Sequence, residues 1–61
     1  MKNYKIELVK DFAILTATKI FENTKSKDEA KKELERVCNT ENIPEEETKD
    51  AIKKLNKIIG E

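Results

Sequence analysis

Asn3-Tyr-Lys-Ile-Glu-Leu-Val-Lys-Asp-Phe-Ala-Ile-Leu-Thr-Ala-Thr-Lys-Ile-Phe-Glu-Asn23 is the stretch that decides how the rest of the chain is read. Turned at about 100° per residue, Ile6, Val9, Ala13 and Ile20 gather on one side, with Phe12 and Ala17 at its edges. Tyr4, Leu8 and Leu15 lie on a second side, and Ile14 and Phe21 on a third. Charge is confined to narrow gaps, one of which holds Glu7 and Asp11. A helix that is apolar nearly all round is buried on more than one face. Two short partners within a 61-residue chain can hardly cover it. The reading is therefore a long helix over residues 3–23 whose surplus apolar surface, Leu8, Phe12, Leu15 and Phe21, forms a protein interface.

Its beginning admits a second reading. Tyr4-Lys5-Ile6-Glu7-Leu8 alternates apolar and polar with period two, as a short strand does. Such a strand has no partner inside the chain and would have to pair with a second copy. The continuous helix is the leading expectation.

The following segment is an amphipathic helix over residues 27–39. Ser26 is a good N-cap and Glu29 stands three residues on, which makes a capping box. Ala30, Leu34, Val37 and Cys38 supply the apolar stripe, and Lys27, Asp28, Lys31, Lys32 and Glu35 the charged face. Asn39-Thr40-Glu41-Asn42 interrupts the pattern, because Asn and Thr compete with the helix backbone for hydrogen bonds. A third helix over residues 43–59 follows. Asn42 is its expected cap, and Pro44 sits in the first turn, where a missing N–H does no harm. Glu45, Glu46 and Glu47 match the positive end of its dipole and Lys53, Lys54 and Lys57 the negative end. Ala51, Ile52, Leu55, Ile58 and Ile59 form its stripe, and Gly60 stops it. Short links between helices imply antiparallel neighbours. The fold class is all-α: a single domain over residues 1–61, a helical hairpin packed on a long first helix and completed by dimerisation.

Size sharpens that expectation. A chain of 7.1 kDa buries roughly 6,000 Å² on folding. If about 60% of that area is apolar, burial contributes about 90 kcal/mol at ~25 cal/mol per Å². Ordering the chain costs about the same at ~1.5 kcal/mol per residue. A small domain in this position needs a staple. The lone cysteine, Cys38, forms no internal disulfide, and without histidine there is no ligand set for structural zinc. Association with another chain remains.

Enzyme chemistry is disfavoured. The sequence holds no histidine, so the commonest general base is missing. Cys38 falls on the stripe with Leu34 and Val37 and reads as a small core residue. Glu7 with Asp11, and Glu29 with Glu33, are carboxylate pairs at i,i+4, but they lack the histidines of four-helix carboxylate metal sites. The only glycine is next to last, so no glycine-rich loop cradles a phosphate. No cofactor and no metal is expected.

Thirteen basic residues balance thirteen acidic ones, which argues against a general nucleic-acid binder. Lys49, Lys53 and Lys57 make a basic stripe on the third helix. A helix-turn-helix reader would use such a surface, but here that helix opens with three glutamates, which would face phosphates. If residues 4–8 were a strand, a dimeric ribbon–helix–helix arrangement would place Lys5 and Glu7 in the groove. A dimeric DNA-binding regulator is thus the alternative to the leading expectation. That expectation is a non-enzymatic helical module, homodimeric, which regulates or inhibits by binding a larger protein. Glu7, Lys10, Asp11 and Lys19 break the apolar run from Ile6 to Phe21, so it reads neither as a signal-peptide core nor as a membrane span. With a free cysteine, this places the chain in the cytoplasm.

Overall fold

A computed structural model describes residues 4–60. Three helices, α1 (Tyr4–Thr24), α2 (Lys27–Thr40) and α3 (Glu45–Ile58), each pack against the other two. There is no strand among the described residues. Tyr4 to Leu8 belongs to α1, so the period-two start is overturned, and with it the ribbon–helix–helix arrangement. An isolated strand would leave its backbone N–H and C=O groups without ladder partners, whereas a helix satisfies them within itself.

Two left-handed residues turn the chain. Lys25 (φ 59°) ends α1, its N–H donating to the Phe21 carbonyl at 2.7 Å. The Thr24 hydroxyl donates to the Ile20 carbonyl at 2.9 Å and accepts the Ser26 N–H at 3.1 Å. Ser26 then caps α2 as its sequence predicts, its hydroxyl oxygen accepting the Glu29 N–H at 3.2 Å. At the other end of α2 the N–H of Ile43 reaches back to the Cys38 carbonyl (2.9 Å) and that of Asn42 to the Asn39 carbonyl (3.1 Å). This bond pair is a Schellman motif with Asn42 as its left-handed residue (φ 59°). Asn42 therefore closes α2 and does not cap α3. The N-cap of α3 is Pro44, which gives no side-chain hydrogen bond. The Pro44 carbonyl accepts the N–H groups of Glu47 and Thr48, both at 3.0 Å, and the negative charges of Glu45, Glu46 and Glu47 complement the positive end of the helix dipole there. Gly60 (φ +83°) follows the last turn of α3 in the conformation that favours glycine.

The core is made of Ala13, Ile14 and Ala17 from α1, Ala30, Leu34 and Cys38 from α2, and Ala51 and Leu55 from α3. All four alanines of the sequence are fully buried. Small side chains at helix contacts let the axes approach closely, so the alanines mark where the three helices meet. Phe21, Val37, Ile43, Ile52 and Ile59 are partly buried and pack around this centre. The inward face of α1 differs from the one expected. Its buried residues are Lys10, Ala13, Ile14 and Ala17, roughly 60° round the helix from the face centred on Ile6, Val9, Ala13 and Ile20. Val9 and Ile20 lie half-buried at its edge.

Candidate functional site

Because α2 and α3 cover one side of α1 only, the opposite side carries large apolar groups into solvent. Tyr4 is 75% exposed, Leu8 51%, Phe12 60% and Leu15 57%. With aromatic side chains of roughly 200 Å² each, these four leave on the order of 400 Å² of apolar surface uncovered. That is about the size of the largest apolar patch on an ordinary monomer, which is often a functional surface. Phe21, the fourth residue of the expected interface, lies instead on the inward side and packs against the core.

The spacing along the outer face carries more information than its area. Lys5, Leu8, Phe12, Leu15, Lys19 and Glu22 are all exposed and follow one another at intervals of 3, 4, 3, 4 and 3 residues. That is the 3–4 spacing of a heptad seam, with three of its six positions apolar. Apolar residues occupy its middle and charged residues its two ends. On the wheel Leu8 and Leu15 fall on one side of the helix and Phe12 at the edge of another. The seam emerges once Ala13 and Ala17 are known to face inward.

A second cluster ties α1 to α3. Lys10 is buried, 3% exposed, and its Nζ donates to Glu47 Oε1 at 2.7 Å and to Asp50 Oδ2 at 2.8 Å. Glu7 Oε2 lies 3.9 Å from the same ammonium. The hydrogen bonds to Asp50 and Glu47 outweigh the cost of burial and hold the Lys10 ammonium well above the usual lysine range. Such a lysine stays protonated at neutral pH and is no nucleophile or Schiff-base former. The same hydrogen bond, with the positive charge behind it, holds the Asp50 carboxyl below its ordinary value. Nothing in the helical periodicity points to this cluster. Its signals were the position of Lys10 one turn before Ala13 and Ile14, and the i,i+3 acid pair Glu47 and Asp50.

The remaining polar candidates are dispersed. Lys49, Lys53 and Lys57 are exposed along α3, and Lys49 lies 3.9 Å from Glu45. An open groove between α2 and α3 is lined by Lys31 and Lys49 but also by Glu35 and Glu45, a mixed field that does not attract a polyanion. The Glu45–Glu47 end of α3 faces the same objection as before. In the carboxylate pairs, Glu7 approaches Lys10, and Glu33 grips the Arg36 guanidinium with two bonds, 2.6 and 3.1 Å. The Arg36 hydrogen bonds hold the Glu33 carboxyl below its ordinary value. No group of three metal-ligating side chains comes together among the described residues. No helix among them is long and apolar enough to cross a membrane. Cys38 is fully buried beside Leu34 in the core, where its place on the stripe put it.

No protein-family model, curated protein or solved structure matches this chain.

Proposed function

We propose that this chain is a non-enzymatic helical interaction module of the cytoplasm. It pairs with a second copy of itself through the outer face of α1 and acts as a regulator or inhibitor by binding a larger protein. The observation that carries the reading is the exposed seam centred on Leu8, Phe12 and Leu15. A second copy is the simplest occupant. The seam is short, and a two-fold axis buries the same surplus on both protomers. The chain's zero net charge opposes neither protomer's approach.

Light scattering behind a sizing column tests this directly. The wild-type chain is expected near twice 7.1 kDa, with the mass falling on dilution. Phe12→Glu places a charge in the middle of the seam and is expected to give the mass of a single chain. Phe12 is 60% exposed in the protomer, so the variant should keep its helical circular dichroism. A wild-type monomer at millimolar concentration, or a Phe12→Glu dimer, refutes the interface.

A further inference from the structure

We infer that the two copies of α1 pair antiparallel, with Phe12 of one protomer set against Leu15 of the other across the two-fold axis. This rests on the dimer reading just given and adds the direction and register of pairing. In an antiparallel coiled coil each seam residue meets the one whose number completes a fixed sum. For the seam Lys5, Leu8, Phe12, Leu15, Lys19, Glu22 the match is end to end. Lys5 meets Glu22 of the partner subunit, Leu8 meets the partner's Lys19, and Phe12 meets the partner's Leu15. The apolar pairs then lie at the centre. Opposite charges meet at both ends, and the aliphatic stem of each Lys19 covers a leucine while its ammonium reaches water.

The parallel, in-register alternative stacks each residue on its own copy. Lys5 then faces Lys5, Lys19 faces Lys19 and Glu22 faces Glu22, three like-charge layers out of six. Like charges held at seam positions cost affinity and are the usual device by which helices reject a wrong partner or direction. The same surface therefore attracts itself in one direction and repels itself in the other.

Cysteine cross-linking separates the two directions. Lys5 and Glu22 are 17 residues apart, about 26 Å along a helix, far beyond disulfide reach. Full-length Lys5→Cys and Glu22→Cys chains are prepared separately, then mixed and oxidised with glutathione disulfide. Cys38 is buried, and the wild-type chain run alongside controls for it. The antiparallel pair predicts that the mixture forms a disulfide-linked heterodimer while neither variant links to itself. Self-linking of either variant alone, or a mixture that does not link while light scattering still gives a dimer, overturns the direction but leaves the dimer standing. A wild-type monomer by light scattering overturns both. A charge exchange gives an independent readout. Glu22→Lys is expected to weaken the dimer roughly tenfold, and adding Lys5→Glu to restore it to within about twofold. A double variant no tighter than Glu22→Lys alone contradicts the assigned register.

Discussion

The inner and outer faces of α1 are built from opposite choices. The inner face uses Ala13 and Ala17, with Ile14 between them and Lys10 one turn earlier, and it disappears into the bundle. The outer face uses Leu8, Phe12 and Leu15, bulkier apolar side chains than any alanine, and leaves them more than half exposed. Burial along α1 therefore follows the side on which α2 and α3 approach, not side-chain size alone. On α1 the axes close over Ala13 and Ala17, with Ile14 filling the space between them and Leu34 and Leu55 of the neighbouring helices, whereas Leu8, Phe12 and Leu15 stay where no second element of the same chain reaches. The inner face serves the protomer, and the outer face keeps its apolar side chains in solvent.

Ile14 and Leu15 give the sharpest contrast, since they are neighbours in sequence that point to opposite sides. Ile14 is 9% exposed and lies in the core cluster. Ile14→Ala is expected to destabilise the protomer by about 2–4 kcal/mol through lost burial and the cavity left behind. Domains of this size hold roughly 3–9 kcal/mol in all. Urea unfolding monitored by circular dichroism should therefore show a midpoint lowered by a large fraction, or a chain already partly unfolded in buffer. An Ile14→Ala midpoint equal to that of the wild type would mean that the two faces do not differ as described.

Lys10 tests whether the inner face depends on its charge as well as its alanines. Lys10→Met keeps a similar stem and removes the ammonium, leaving Glu47 and Asp50 side by side. A cost of roughly 1–2 kcal/mol is expected, below the usual price of breaking a buried pair because both carboxylates remain partly solvated. The pH dependence has a defined sign. Asp50 is held below its ordinary 3.8, so its contribution is present above that value and lost as pH falls through the lower folded value. Lys10 is held above its ordinary 10.5, so its contribution is complete below that value and drains away as pH rises further. The stability difference between wild type and Lys10→Met should be constant between about pH 5 and 10 and shrink as pH rises above that window. An identical alkaline limb in the variant would detach Lys10 from the stability of the α1–α3 contact.

Much of this was legible in the sequence, for local reasons. The Ser26 cap, the stripe of Ala30, Leu34 and Cys38, the acidic start of α3 and the Gly60 stop each report on their immediate neighbours, and all appear in place. What was not legible depended on distant parts of the chain. An all-round apolar helix does not say which side its partners choose, so Phe21 reads as part of the outer interface although it packs inward. Asn42 suits an N-cap and a left-handed C-terminal turn equally well, and only the return bonds to Cys38 and Asn39 decide between them. The acids that hold Lys10 lie 37 and 40 residues away, a distance across which no period is visible.

Leu15→Ala should have the smallest effect on the fold and is for that reason the most discriminating variant. The side chain is 57% exposed in the protomer and takes no part in the core. Its removal from a lone chain should change stability by less than about 0.5 kcal/mol, as at other surface positions. In the paired state the same atoms are covered twice, once on each protomer. Losing about 1 kcal/mol of apolar burial at each should raise the dimer dissociation constant roughly thirtyfold. The two quantities separate by protein concentration. Urea unfolding well below the dissociation constant reads the protomer, and sedimentation or light scattering across a dilution series reads the pair. A variant that loses protomer stability on the scale of Ile14→Ala would place Leu15 in the core of the single chain. A variant unchanged in both readouts would leave the outer face without an occupant along this part of the seam.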